Sequence, residues 1–573
     1  MMVFRNLALS AALLGAPALA QNGDNVLIVV ADDLGVDQVG VYAEGVSPAN
    51  TPTIDTIASS GVLFRNGWAY PTCSPARASL LTGRHGVRTG IGSPGRPSLP
   101  LGETTIPEAL DAANSGYAHA WIGKWHVESD PNHPNDSGWS HFAGPLGGSV
   151  GNYFNWQRTV NGQTSTSTTY STTQIANDAI GWIQAQTSPW VCVLAFNAPH
   201  TPYHVPPANL HTQTLPGTPQ SDPIPHYQAA IEAMDTELAR VLASLGTDLA
   251  RTNVVFLGDN GTPRRVTLPA SQRDHAKGSP YEGGVRVPFL LAGPAVTFPG
   301  REVNSVVSIT DIFTTIGDLI AVDLEQPILK SDSISFAPYL SDPFQPSIRE
   351  SIYAESYTNR TDPSTNGFSC ARSLEFKLVR NYQNDGSFVE ELYHLPTDPV
   401  EQVDRFAFGL SAVEQQARDQ LATHIESVRD RDGRFEPLGN PSCFGSSGPL
   451  AIGGSGTPAT GRTYQVSLSN GPSSGVAVLT TGTSAETFND LSLPYDLTAL
   501  GAGPGCLLLT SAEWTVSVAT NSLGSATMSY AIPNDPSLVA ASLFHSWIAF
   551  DAAAPSNPLG VVTAPGIRVR VGN

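Results

Sequence analysis

The sequence predicts an α/β core with central parallel strands, then a small antiparallel subdomain, then a separate all-β sandwich. Three observations carry this. Continuous apolar, β-branched runs recur at 25–30 (NVLIVV), 190–196 (WVCVLAF) and 253–257 (NVVFL). Runs without alternation mark strands buried on both faces, as in the middle of a parallel sheet. Segments of helical period lie between them. From about residue 350 the chain turns to short alternating strands separated by Gly, Ser, Asn and Pro.

The elements follow in order. Residues 1–20 place one arginine before an apolar run that ends in Ala18-Leu19-Ala20. This pattern predicts a secretory signal peptide cut before Gln21, and so a secreted, periplasmic or cell-surface protein. The sequence has no other apolar run long enough to span a bilayer, so no transmembrane segment is expected. Helices are expected at 105–113, 174–186 and 226–245; in the second, Ile175, Ala179, Trp182 and Ile183 share one face. The catalytic-sized core is expected over 21–435. SIYAESY, FKLVRNY and FVEELYHL read as strands of an antiparallel subdomain within about 350–435, with a helix near 411–429. The Gly/Ser/Pro-rich stretch 436–460 reads as a linker. Residues 461–573 read as a β-sandwich, with TYQVSLSN, GVAVLTT, EWTVSVAT and GIRVRVG as its clearest strands.

Composition narrows the function. The 573 residues are 40% hydrophobic and 14% charged, with 53 glycines and 46 prolines, and mean hydropathy is −0.09. That is a soluble, loop-rich chain rather than a coiled coil. A net charge of −20 repels phosphate and argues against nucleic acid as a partner. It leaves an anionic substrate open, because a few basic groups inside a cleft reverse the local field. Five cysteines, an odd number, leave at least one unpaired. Cys192 sits in a buried-strand pattern and reads as an inert core thiol; Cys370 and Cys443 could pair.

Chemistry concentrates at strand ends. Asp32 and Asp33 directly follow the first buried run, and Asp259 and Asn260 follow another. In open α/β sheets the functional crevice lies at the carboxyl ends of strands. Three carboxylates and an amide brought together there suit a hard divalent cation, Ca²⁺ or Mg²⁺, over Zn²⁺. Cys73 lies in PTCSPARASLLTGR, residues 71–84. A thiol there could be a nucleophile, a metal ligand, half of a disulfide or a precursor of another group. Ser74 fits an N-cap and Pro75 a first helical position, which would set Cys73 at the positive end of a helix with Arg77 one turn on.

CSPARASLLTGR resembles the signature of the type I sulfatases, Cys-x-Pro-x-Arg followed by Leu-Thr-Gly-Arg. GYAHAWIGKWH, residues 116–126, is similar to that family's second signature. VADDLG, APHTPYHVP around His200, GDNG, KGSPYEGGVRVP from Lys277 and ELYHLPTDPVE follow in family order. The resemblance covers roughly residues 25–405 and leaves the C-terminal sandwich outside. It implies an alkaline-phosphatase-like fold, with a large mixed, mainly parallel sheet flanked by helices. It implies that a dedicated maturation enzyme converts Cys73 to formylglycine (3-oxoalanine). One hydroxyl of the aldehyde hydrate then attacks sulfur and expels the alcohol, and loss of the other hydroxyl's proton releases sulfate and restores the aldehyde. By the same resemblance Asp32, Asp33, Asp259 and Asn260, with matured Cys73, hold Ca²⁺, with Mg²⁺ or Mn²⁺ as alternatives. Arg77, Lys124 and Lys277 neutralise the sulfuryl oxygens. His200 with Lys277 protonates the leaving alcohol, His126 assists elimination, and Asp259 is a candidate acceptor of the first hydroxyl proton.

The expected activity is sulfate-ester hydrolysis, on a sulfated small molecule or polysaccharide. A phosphonate or phosphate monoester hydrolase is the alternative from the same superfamily. A non-catalytic carbohydrate-binding or surface-attachment protein led by the sandwich is the alternative from another class. His85, His119, His204 and His275 read as ordinary histidines. The aromatics of 139–156 read equally as a substrate-facing wall or as a packed loop.

Overall fold

A computed structural model describes residues 23–572 apart from 96–97, 102, 325–330, 359–365, 430–433, 439–442, 457, 460, 490, 534–537, 539–540 and 555–556. The expected signal peptide, 1–20, lies outside the described residues. Among the described residues no helix is long and apolar enough to cross a membrane.

Ten strands form the main sheet: β1 (Asn25–Ala31), β2 (Gly61–Trp68), β3 (Ala118–Gly123), β4 (His141–Gly144), β5 (Trp156–Val160), β6 (Gln163–Ser167), β7 (Trp190–Ala195), β8 (Thr252–Gly258), β9 (Phe289–Ala292) and β10 (Arg301–Ser308). Their order is β10-β2-β9-β8-β1-β7-β3-β4-β5-β6. The centre, β8-β1-β7-β3-β4, is parallel throughout. β9 and the β5–β6 hairpin run antiparallel, so the sheet is mixed. The three apolar runs read from the sequence are the adjacent strands β7, β1 and β8, and every residue of each is buried. Alternate side chains feed two cores. Val26, Ile28 and Val30 face one helical layer, and Leu27, Val29 and Ala31 face the other. The helix Ser171–Gln184 buries Ile175, Ala179 and Ile183 and leaves Trp182 half-buried. Pro223–Ser244 covers the same face.

The subdomain is a four-stranded antiparallel sheet, β11 (Ile352–Tyr357), β12 (Gly367–Arg372), β13 (Phe376–Tyr382) and β14 (Phe388–His394). One face packs the helix Ala412–Arg429 through Leu421, Ala422, Ile425 and Val428. The other packs Ala354, Cys370 and Val379 against Trp68 and Val285 of the core. A buried ionic lattice crosses this seam. Lys377 lies 3.2 Å from Glu282 and 2.7 Å from Glu401, and Arg372 lies 2.6 Å from Glu282.

Beyond the helix, two sequence readings are corrected. The stretch 436–460 is not a linker. Arg434–Leu438 pairs with Gly566–Arg570, and Ala451–Gly456 pairs with Thr463–Ser469, so both belong to the two facing sheets of the sandwich. One glycine that suggested a linker is a packing residue: a Cβ on Gly454 would lie 2.0 Å from the Phe435 ring, so a side chain there has no room. Nor does Cys443 pair with Cys370. It is bonded to Cys506 inside the sandwich, with the two Cα atoms 4.7 Å apart. Cys370 faces the core from β12 and its thiol contacts Ala354 O. Trp547, Leu479, Tyr464, Val466 and Leu468 fill the space between the sheets.

The sandwich has its own apolar core, so it should be separable. A chain ending at residue 432 is expected to keep one cooperative thermal transition at the midpoint of the core transition in the full chain. Scanning calorimetry that finds no such transition would show the sandwich to be part of a shared core.

Candidate active site

The carboxyl ends of the central strands build the site. Asp32 and Asp33 continue β1, Asp259 and Asn260 continue β8, Lys124 and His126 follow β3, and His200 sits on the turn after β7. Backbone bonds tie these ends together: Asp32 N–H donates to Ala198 O (3.1 Å), Asp259 N–H to Ala31 O (3.0 Å), and Lys124 N–H to Ala195 O (2.8 Å). Asp33 and His126 both adopt positive φ, 71° and 55°. Such strained conformations in non-glycine residues cluster at functional sites.

Cys73 enters from the side. The helix it belongs to spans Cys73–Thr82, with Thr72 at the N-cap position. The helix therefore starts earlier than the expected Ser74 cap and Pro75 first turn. Ser74 does not cap because it already lies inside the first turn; its hydroxyl donates to His126 O (2.8 Å), which joins the helix to the β3 turn. The thiol is 2% exposed and lies 3.7 Å from Lys277 Nζ. Ligand atoms of Asp32, Asp33, Cys73 and His200 all fall within 4.8 Å of one another.

Charge is balanced inside this volume. Arg77 donates through Nε and Nη2 to Asp259 Oδ2 (3.1 and 2.8 Å), and through Nη1 to Lys124 O (2.7 Å). Lys124 Nζ donates to Asp32 Oδ2 (2.6 Å), and Lys277 Nζ to Asp33 Oδ1. Each carboxylate thus has its own cation. Asp259 Oδ1 accepts the Asp33 amide (3.0 Å) and Asn260 Nδ2 donates to Asp33 Oδ1 (2.9 Å). His200 Nε2 stands 3.8 Å from Asp33 Oδ2.

Burial and neighbours set the protonation states. Burial pushes the Cys73 thiol up to about 12, despite Lys124 and Lys277, so it stays protonated and is a poor nucleophile. Burial would raise the Asp33 carboxyl as well, but Lys277, His200 and Lys124 together hold it well below the usual range. Asp259 rises to about 6, through burial and the repulsion of Asp32, which Arg77 only partly offsets. Burial with Lys124 and Arg77 lowers His126 to about 2 and keeps its ring neutral.

All ten sequence-predicted site residues therefore converge: Asp32, Asp33, Cys73, Arg77, Lys124, His126, His200, Asp259, Asn260 and Lys277. Arg77 is fully buried and directs three donors at Asp259 and Lys124 O, so it also holds the site's frame. Sequence reasoning missed Tyr227, whose hydroxyl donates to Asp33 O at 2.5 Å; its place on a long amphipathic helix looks like core packing. The four ordinary histidines are structural. His85 bonds Tyr70, His119 bonds the Ser140 amide, His204 stacks on Tyr153 and His275 stacks on Tyr281. Tyr153 and Trp156 are buried, while Phe154 is exposed, so 139–156 is mainly a packed loop.

The donor set fits a divalent cation. Asp32 Oδ1 and Asn260 Oδ1 are buried acceptors with no hydrogen-bond donor among the described residues, and an orphaned buried acceptor is costly unless a cation meets it. Three carboxylates already matched by Arg77, Lys124 and Lys277 would leave a cation's charge in excess, which suits an anionic ester.

Residues 24–322 match the family model Sulfatase. The chain belongs to the sulfatase family. It is 28% identical over 378 residues to the uncharacterized sulfatase YdeN of Escherichia coli, covering 56% of this chain and 66% of that protein. It is 31% identical over 351 residues to an N-acetylgalactosamine-6-sulfatase of Canis lupus familiaris, covering 54% and 64%. The match thus spans just under two thirds of the length of these relatives. Among solved structures, Ps i-CgsB in complex with k-i-k-neocarrahexaose shares the fold with a TM-score of 0.58 at 24% identity, covering 71% of this chain and 92% of that one. The phosphonate monoester hydrolase of Agrobacterium radiobacter shares it with a TM-score of 0.53 at 21% identity, covering 71% and 96%.

Removing the guanidinium from this buried frame leaves Asp259 unpaired. Arg77→Ala is expected to cost about 3–5 kcal/mol of stability, read from denaturant midpoints. A loss below about 1 kcal/mol would mean that Asp259 finds other compensation.

Proposed function

We propose that this sulfatase-family protein is an exported hydrolase of sulfate monoesters, that Cys73 acts after conversion to formylglycine, and that Asp32, Asp33, Asp259 and Asn260 hold Ca²⁺ beside it. The observation that carries the reading is the placement of Cys73. A buried thiol sits against Lys277, with ligand atoms of Asp32, Asp33 and His200 within 4.8 Å of its Sγ. A hydrated aldehyde on the same carbon would supply hydroxyl groups there. The cation, when bound, lowers the pKa of a hydroxyl beside it and polarises a sulfuryl oxygen.

The chain's own residues do the rest. Lys124 and Lys277, anchored by Asp32 and Asp33, present positive charge to the sulfuryl oxygens, where negative charge builds in the transition state. Arg77 fixes Asp259 and the Lys124 backbone. Asp259, on the same frame, is the candidate acceptor of the attacking hydroxyl's proton. His200 donates Nδ1–H to Thr201 O (2.8 Å), so the ring must carry a second proton on Nε2 to protonate the alcohol oxygen as the S–O bond breaks. His126 is assigned the assisting role in the elimination that frees sulfate. Sulfated carbohydrates are favoured as natural substrates by the N-acetylgalactosamine-6-sulfatase relatives and by the presence of a β-sandwich beside the core.

The reading is tested by sulfate release from a panel of aryl, sugar and steroid sulfates. Peptide mass analysis alongside should find residue 73 without its thiol sulfur and with an aldehyde oxygen. Release of phosphate or phosphonate with no release of sulfate would move the protein to the related monoester hydrolases. No release of any, with an intact thiol, would favour a binding role. Cys73→Ser is expected to stall after at most one turnover, and sustained turnover by that variant would overturn the formylglycine assignment.

The cation has its own readout. Ca²⁺ is expected to raise the thermal midpoint of the wild type and leave that of Asp33→Ala unchanged, because binding to the folded state alone stabilises it. An equal rise in both would put the cation elsewhere.

The leaving group separates two basic groups. His200→Ala is expected to slow an unactivated alkyl sulfate by about 10²–10⁴-fold under single-turnover conditions and an activated aryl sulfate far less. Lys124→Ala is expected to damage both alike. Equal losses for both substrates in His200→Ala would reassign His200 to sulfate binding.

A further inference from the structure

Both site histidines lean on one loop, residues 145–154, between β4 and β5. The carbonyls of Pro145 and Leu146 accept the amides of Trp125 and His126, each at 3.0 Å. A Cβ on Gly148 would lie 2.5 Å from His126 Nε2, so the ring packs on bare backbone. From the same loop, two hydroxyls reach the turn that carries His200. Ser149 Oγ donates to Thr201 O (3.1 Å), the carbonyl that also accepts His200 Nδ1–H (2.8 Å). Tyr153 Oη lies 2.8 Å from Asn197 O and 2.7 Å from His200 O, one proton shared between two acceptors. Asn197 O takes the His200 amide as well, at 2.9 Å.

Tyr153 is held from every side. It is 1% exposed, its ring stacks on His204 at 3.8 Å, and its carbonyl accepts the Ser171 amide at 2.8 Å. Its hydroxyl therefore has a fixed position, and the His200 turn is pinned to it. Nothing in the proposed chemistry requires Tyr153 to meet substrate.

We propose that Tyr153 is the positioning residue for proton transfer by His200, acting through the Asn197 and His200 carbonyls, with Ser149 as a second tether on Thr201. The proposal rests on the reading of His200 as the group that protonates the leaving alcohol. A proton donor must be held within a fraction of an ångström of its productive place, and small displacements cost rate steeply. Without the phenolic hydroxyl, two carbonyls of the turn lose a donor, and the imidazole is free to drift. A leaving group that needs no proton should not sense this, whereas an alkyl alcohol should.

The experiment compares Tyr153→Phe, His200→Ala and the double variant in the full-length protein, in single turnover of nitrophenyl sulfate and of a primary alkyl sulfate. Tyr153→Phe is expected to lose about 10-fold on the alkyl sulfate and less than about 2-fold on the aryl sulfate. The double variant is expected to be no slower on the alkyl sulfate than His200→Ala alone, because a residue that works through His200 has nothing left to position. Equal losses on both substrates, or losses that multiply in the double variant, would overturn the proposal and leave Tyr153 a packing residue. Absence of a leaving-group contrast in His200→Ala itself would instead remove the acid assignment beneath it. If thermal melts show Tyr153→Phe unfolded, Ser149→Ala decides: a smaller loss confined to the alkyl sulfate supports the tether, and no contrast overturns it.

Discussion

Three aspartates stand within a few ångström of one another in a buried volume, and they can do so only because each is matched by a cation from a different part of the chain. Arg77 comes from the helix beside Cys73, Lys124 from the end of β3, and Lys277 from the segment that precedes β9. Like charges that close would otherwise protonate or push the strand ends apart. The pairing explains why the parts are not independent. The Arg77 guanidinium also holds the Lys124 carbonyl, and Lys277 touches both Asp33 and the Cys73 thiol.

The same dependence reaches the subdomain. The segment carrying Lys277 runs into Tyr281 and Glu282. Tyr281 bonds Glu391 at 2.8 Å, and Glu282 receives Arg372 and Lys377. His275 Nδ1 donates to Val400 O at 2.9 Å. The four-stranded sheet thus braces the far end of the segment whose near end carries a site lysine. A buried ionic lattice adds little net stability over apolar packing, but it fixes one relative arrangement of the parts it joins.

Much of this was legible in the sequence because the chemistry follows the strands. Asp32, Asp33, Asp259 and Asn260 each come directly after a run of buried apolar residues, so the strand predicts the place of the polar pair. Lys124, His126, His200 and Lys277 were legible only through the family resemblance; the carboxylate partners of the two lysines lie 92 and 244 positions away. The N-cap at Ser74 failed because the helix begins one residue earlier, at Cys73, with Thr72 in the cap position; the Ser74 hydroxyl serves a carbonyl on a distant turn instead. The linker reading failed for a related reason: glycine was taken as a sign of flexibility where an aromatic ring from another strand excludes a side chain. The disulfide could not be chosen among the possible pairings without the fold. Tyr153 lay in a segment marked for its aromatics, but nothing local says that its hydroxyl reaches a turn more than forty residues on.

The pairing of Arg434–Leu438 with Gly566–Arg570 has a consequence for the order of synthesis. The first strand of the sandwich finds its neighbour only when residues 566–570 have been made. Every strand of the core and its subdomain is complete by then. The core can therefore reach its final shape while the sandwich is still an open set of hairpins, and closing the sandwich is the slow, long-range step. Quality control that senses exposed strand edges would act on the appendage first.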